Sequence, residues 1–152
     1  MSPARAAVVG HPIGHSRSPD LHRAAYAVLG EDVHYDAHDL VEEQLPPFVD
    51  ARRSDPAWRG CNVTMPHKQA VPRYLQSTDD TAAAVGAVNT IYPAFDRSLA
   101  GANTDVSGFL EPLRPLLARR HLFRLARVIG TGGAARSSIV SVAGKTGTAQ
   151  VV

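Results

Sequence analysis

The sequence predicts an α/β fold, an open and mostly parallel β-sheet with flanking helices. Three observations carry this reading. Short apolar runs such as "AAVVG" (residues 6–10) have the continuous character of strands buried on both faces. These runs alternate with segments bearing helix start and stop signals, the pattern of crossover helices. Polar side chains gather just after the runs, where open α/β sheets bind their ligands.

Each element has its own justification. "AAVVG" ends at Gly10 and gives way to a polar loop, "HPIGHSRS". The next segment, 18–30, has Ser18 to cap a helix, Pro19 suited to its first turn and Gly30 to end it. "VHYDAHDL" alternates like a half-buried strand, and "EEQLPPFVDARRS" becomes helical after its prolines. "RGCNVTM" is a strand, and Pro66 is pre-set for the first turn of a helix over "PHKQAVPRYL". "TAAAVGAVNTIYP" passes from a short helix into a strand, and "LAGANTD" is a strand with its loop. A helix entered near Asp105 follows, and then "LARVIGTGGAARSS" reads as strand, glycine-rich turn and helix start. The aromatic residues Tyr26, Tyr35, Trp58 and Tyr74 read as core or surface filler.

Composition narrows the function classes. At 152 residues the chain is one domain, or one domain and a fragment of another. No apolar run approaches the roughly 18 residues of a membrane span, and the first ten residues lack the apolar stretch of a secretory signal. Cys61 is the single cysteine, which excludes an internal disulfide and suits a reducing, cytoplasmic setting. With one cysteine and no H-E-x-x-H spacing, no metal site is expected. Residues 112–152 hold six arginines, Lys145 and no acid, whereas residues 1–111 are net acidic. Phe123 alone interrupts that basic stretch with an aromatic ring, so nucleic acid is not the expected partner.

Lys68 is one of only two lysines beside fourteen arginines. In the first turn of a helix begun at Pro66 it would sit near the positive end of the helix dipole. A cation is mildly disfavoured there, a bias toward the free amine that a general base needs. Taken alone, the octapeptide "CNVTMPHK" reads first as carrying a solvated surface lysine, since most lysines are exposed. Ser18 and Asp105 each admit helix capping as an alternative, and Asn89 and Thr90 admit a turn after Gly86. His11, His15 and His67 border the loops but show no metal-ligand spacing, and are read as supporting residues at most.

Four stretches together, "VVGHPIGHSRSPDLHRAAY", "CNVTMPHK", "VGAVNT" and "GANTDVSGF", occur in the order and spacing of the shikimate dehydrogenases, which the chain resembles from residue 6 to about 136. The resemblance implies a substrate domain of α/β type joined to a Rossmann-like NADP-binding domain. It implies the reversible, NADP-dependent reduction of 3-dehydroshikimate to shikimate in aromatic amino acid (chorismate) biosynthesis. By it Ser16 and Ser18 would hold the substrate carboxylate, a task two hydroxyls at a helix start can perform. Thr64 and Asn89 would contact the ring hydroxyls, and Lys68 and Asp105 would form the catalytic pair. Asp80 matches a position on the cofactor side, although "STDDTAAA" also reads as a helix cap. The implied partner is shikimate or 3-dehydroshikimate, with no membrane or nucleic acid; oligomeric state stays open.

Gly130, Thr131, Gly132, Gly133 and Ala134 in "VIGTGGAARS" resemble the family's glycine-rich turn for the NADP diphosphate, and the G/A form of the motif is satisfied. Beyond it the chain departs from the family. From Arg127 onward there are too few residues for a βαβ unit of about 30, and no acid follows Glu111. The tail "VAGKTGTAQVV" holds the K-T-G of penicillin-binding transpeptidases, but no S-x-x-K accompanies it. Nor is "GKT" a P-loop, because Ile139 stands where the first glycine is needed. The expected organisation is a shikimate-binding catalytic domain over 1–110, a connecting helix and linker over 111–126, the start of an NADP-binding domain over 127–141, and an atypical tail over 142–152. Catalysis is expected to be impaired by truncation; the alternative is a non-catalytic shikimate- or quinate-binding fragment.

Overall fold

The strand β1 (Ala4–Gly10) runs through the middle of one half of the sheet, with Ala7 and Val9 turned to one face and Ala6 and Val8 to the other. The computed structural model describes residues 3–115, so the glycine-rich turn at 130–134 lies outside the described residues. β2 (Val33–Asp39) and β3 (Trp58–Val63) pair with β1 in parallel, one on each side. The sheet has six strands in the order β2-β1-β3-β5-β6-β4, completed by β4 (Ser77–Thr78), β5 (Thr90–Pro93) and β6 (Leu99–Ala102). β4 pairs with β6 in parallel, whereas β5 runs antiparallel to both β3 and β6.

The sheet is thus mostly parallel, as the sequence predicts, with one reversal that it does not. A parallel crossover takes a dozen or more residues, and only residues 94–98 separate β5 from β6. They close a tight turn instead, in which Ala94 N–H donates to the Ser98 carbonyl at 2.8 Å and Arg97 adopts a positive φ of 69°. The two-residue β4 was too short to carry a periodic signal.

Helices cover both faces. α1 (Ser18–Leu29) lies over a small cluster of Val8, Ile13 and Tyr35, to which it adds Tyr26. α2 (Leu45–Arg53) and α3 (Asp80–Val85) cover the other face, where Leu45, Val49 and Ala82 join Val9, Val63, Val71, Val88 and Leu99 in the main core. Each fully buried leucine or valine among them contributes about 1.5–3 kcal/mol relative to exposure. α1 ends at Gly30 in the left-handed region (φ 71°), as its sequence indicates. Its start differs from expectation. Arg17 occupies the cap position, Ser18 is the first helical residue, and Ser16 Oγ accepts the Ser18 N–H at 3.3 Å.

The helix expected from Pro66 does not form. Two 3-10 turns, His67–Gln69 and Val71–Tyr74, take its place. An α-helix would need the nitrogen of residue 72 to donate to the Lys68 carbonyl, and Pro72 has no N–H. That carbonyl instead accepts Val88 N–H at 2.8 Å, which ties the segment across to the strand region ahead of β5. Cis peptide bonds precede Pro12 and Pro66.

Cys61 sits within the main core, and burial pushes its thiol up to about 12. At neutral pH the thiolate is therefore almost absent in the folded chain. An aromatic disulfide reagent is expected to label native protein at pH 8 no faster than global unfolding, and unfolded protein in seconds. Prompt labelling of the native chain would show that β3 opens locally.

Candidate active-site cleft

The carboxyl ends of β1, β3 and β6 and the amino end of the antiparallel β5 meet along one rim of the sheet. Backbone bonds continue the sheet past the strand ends. Thr64 N–H donates to the Val9 carbonyl at 2.9 Å, Val63 N–H to Asn89 at 2.7 Å and Asn89 N–H to Ala102 at 3.0 Å. Gly10 lies where the ends of β1 and β3 converge, and a Cβ there would stand 2.5 Å from Thr64 Cγ2 and 2.9 Å from the Met65 carbonyl oxygen. Only glycine lets these two ends approach so closely.

A cleft of about 500 Å³ opens on this rim. One wall comes from the loop after β1 and the start of α1: Ile13, His15, Ser16, Arg17, Ser18 and His22. The floor and far wall are formed by Asn62, Val63, Thr64, Lys68, Asn89 and Asp105. The volume falls in the range of small-molecule sites, about 300–1,000 Å³. Ser16, Ser18, Thr64, Asn89, Lys68 and Asp105, singled out from the sequence, thus line a single space.

Lys68 Nζ stands 2.6 Å from Asp105 Oδ2, and the two side chains are only 11% and 20% exposed. The dipole argument for Lys68 fails, because a three-residue 3-10 turn has no appreciable macrodipole. What acts on the amine is the carboxylate beside it. Asp105 is held there by its backbone. Thr104, not Asp105, occupies the cap position of α4 (Asp105–Leu110), and Asn103 Oδ1 accepts the Asp105 and Val106 N–H groups at 3.0 and 3.3 Å. Freed from capping, the Asp105 carboxylate can face the amine. Asn103 is itself 3% exposed and donates through Nδ2 to the Ala87 carbonyl at 2.9 Å. Its own N–H reaches the Asp79 carboxylate, which also caps α3 through Ala82 N–H at 2.6 Å.

Asn89 precedes β5 rather than following a strand, and it is buried rather than in an open turn. Its Oδ1 accepts from Thr90 Oγ1 at 2.9 Å and from Thr104 N–H at 3.1 Å, so both neighbouring segments hold it. Asp80 is exposed in the first turn of α3, next to the capping Asp79, and is not among the cleft residues. Of the histidines, His15 lines the cleft and His11 pairs with Asp39 at 2.6 Å. His67 is buried and donates through Nε2 to the Leu40 carbonyl at 2.6 Å, facing the core.

Four polar residues escaped the sequence reading. Arg17, His22 and Asn62 line the cleft, and Tyr35 donates its hydroxyl to Asn62 Oδ1 at 2.7 Å. Tyr35 is therefore not mere filler. The available signal was a polar residue, Asn62, inside the otherwise apolar strand "GCNV".

These features define an α/β domain whose sheet rim carries a polar cleft with a pre-paired amine and carboxylate. The family model for the shikimate dehydrogenase substrate binding domain matches residues 8–91. A shikimate dehydrogenase (NADP(+)) of Shouchella clausii is 40% identical over 145 residues, covering 95% of this chain and 52% of its own length. The crystal structure of shikimate 5-dehydrogenase from Thermus thermophilus in complex with shikimate aligns with a TM-score of 0.72 at 40% identity, covering 88% of this chain and 50% of that one. The same enzyme with NADP(H) and shikimate gives a TM-score of 0.70 at 39% identity, with 88% and 49% covered. The chain belongs to the shikimate dehydrogenase family and spans about half the length of the curated relatives it matches.

Replacing Asn103 by Ala leaves the Asp105 and Val106 N–H groups and the Ala87 carbonyl without their partner. A loss of about 1–3 kcal/mol is expected from one such buried group, read as a lower urea midpoint at unchanged slope. An unchanged midpoint would mean that water replaces the amide at no cost.

Proposed function

We propose that the chain is the substrate half of an NADP-dependent shikimate dehydrogenase, an oxidoreductase that reversibly reduces 3-dehydroshikimate to shikimate. The observation that carries this is the Lys68–Asp105 pair at 2.6 Å inside the cleft, together with the family membership. Relatives named as NADP(+) enzymes, and a neighbour solved with NADP(H) and shikimate, support the substrate and the cofactor. Residues 1–110 would form the shikimate-binding catalytic domain, 111–126 the connection, 127–141 the beginning of the NADP-binding domain and 142–152 an atypical tail. Gly130, Thr131, Gly132, Gly133 and Ala134 would approach the diphosphate, with Asp80 on the cofactor side. NADPH supplies the hydride in the direction of shikimate.

The cleft residues would do the rest. Ser16 and Ser18 offer hydroxyl donors to a carboxylate beside the start of α1. Thr64 and Asn89 offer hydrogen bonds to ring hydroxyls. The paired Lys68 ammonium is the form that can give a proton to the oxygen of a carbonyl becoming an alcohol, and in the opposite direction the neutral amine takes it back. Asp105 keeps the amine in place and accepts a hydrogen bond from the same alcohol. The low exposure of both side chains strengthens these interactions relative to water.

The cleft is lined entirely by residues between Val8 and Asp105, which also suits a second reading, a shikimate- or quinate-binding domain that does not turn over by itself. Calorimetric titration with shikimate and NADPH oxidation with 3-dehydroshikimate separate the two. Binding with turnover above a Lys68→Ala control supports the enzyme, and binding without turnover supports the module. A flat isotherm at millimolar shikimate would sink both. In any active form, Lys68→Ala is expected to lower kcat by at least about 10²-fold, the scale of lost proton transfer. Asp105→Asn should weaken binding and turnover together.

A further inference from the structure

Tyr35 contributes to the site from a place almost out of solvent. Its ring belongs to the small core under α1 and is 2% exposed, yet its hydroxyl reaches the cleft floor to donate to Asn62 Oδ1 at 2.7 Å. The ring cannot swing away. His22 stacks on it with centroids 4.0 Å apart and planes 10° from parallel, and His22 Nδ1 donates to the Ser18 carbonyl at 2.9 Å. The phenol is thus clamped between β2, α1 and β3, with Val8 and Ile13 beside it. Burial raises its pKa well above the ordinary range, against a smaller opposing effect of the Ser18 hydroxyl beside it, so the hydroxyl keeps its proton.

That proton has a consequence for Asn62. An amide has an accepting end and a donating end in one plane. Once Oδ1 is engaged by Tyr35, the NH2 end is left to the cleft, and Asn62 Nδ2 has no hydrogen-bond partner among the described residues. A free asparagine could offer either end to a ligand; this one is set to donate.

We propose that Tyr35 is a positioning residue: its hydroxyl fixes Asn62 so that the amide NH2 faces the cleft as a dedicated donor to an acceptor oxygen of the ligand. The ligand side of the inference rests on the reading of the cleft as a shikimate site, whereas the fixed orientation of Asn62 does not. Tyr35→Phe is the natural probe, because it keeps the ring, the His22 stack and the core packing and removes one oxygen.

Two measurements on the full 152-residue chain test it. In the ¹⁵N-labelled chain without ligand, the heteronuclear Overhauser effect of the Asn62 side-chain NH2 should match the rigid backbone and should fall clearly in Tyr35→Phe. Calorimetry with shikimate should show Kd rising about three- to tenfold in Tyr35→Phe, the scale of one net hydrogen bond. In an Asn62→Ala background the same substitution should change Kd clearly less than in the native background, the remainder being what the Ser18 hydroxyl beside the phenol contributes. A merely structural tyrosine would cost the same in both backgrounds, and that additivity would overturn the proposal. So would an Asn62 NH2 signal that is equally rigid with and without the hydroxyl, or one that loosens while Kd stays unchanged. A native chain that fails to bind shikimate would remove the substrate assignment instead, and the NH2 measurement would still decide the role of Tyr35.

Discussion

An ammonium and a carboxylate held 2.6 Å apart and largely out of water are the constraint around which this rim is built. Such a pair adds little net stability, since desolvation offsets much of the attraction, and removing one partner is costly. Holding it therefore demands that both backbones be fixed independently of the side chains. On the lysine side, the 3-10 turn presents the Lys68 carbonyl to Val88 N–H. On the aspartate side, Asn103 takes the first N–H groups of α4 that a capping aspartate would otherwise take. The partners are 37 positions apart in sequence, and each is tied to the segment just ahead of β5, Lys68 through Val88 and Asp105 through Asn103 and Ala87.

The same segment links the other groups. Asn89 receives hydrogen bonds from both sides, Asn103 reaches the Ala87 carbonyl, and Val88 contributes a buried side chain below. Residues 87–89 are thus a backbone hub in which a core side chain alternates with groups that serve the rim. This is why the antiparallel β5 matters. By reversing direction between β3 and β6 it brings an amino-terminal strand end to a rim otherwise made of carboxyl-terminal ones, and the buried Asn89 arrives with it.

Much of this was legible in the sequence where local chemistry decides. Gly30 ends α1, Gly86 ends α3 in the left-handed region, and the apolar runs became β1 and β3. Family spacing groups Ser16, Ser18, Thr64, Lys68, Asn89 and Asp105 from the sequence alone, and the cleft lining contains them all. What stayed hidden depends on contacts between distant segments. Pro66 looks like a helix start, but Pro72 denies the donor that helix would need, and Val88 takes the vacant carbonyl. Asp105 looks like a cap until Asn103 is seen to perform that task. Tyr35 looks like core filler because nothing local reveals that its hydroxyl ends at Asn62, 27 positions away.

The two cores beneath the rim divide the labour. The main core, with Ala70, Val71, Ala82 and Val88, supports the wall that carries Lys68, Asn89 and, through α3 and Asp79, Asn103. The small core of Val8, Ile13 and Tyr35 supports the wall that carries Ser16, Ser18 and His22, and reaches Asn62 on the floor through the Tyr35 hydroxyl. β1 joins the two, sending Val9 down into one and Val8 into the other from adjacent positions. Gly10, the next residue, lets the end of β3 close against it. A displacement of β1 along its axis would therefore shift both walls together, while a change within one core would move one wall against the other. A densely packed interior transmits such shifts rather than absorbing them. The spacing across the cleft is consequently set by the register of three consecutive residues, Val8, Val9 and Gly10, none of which needs a polar side chain to do it.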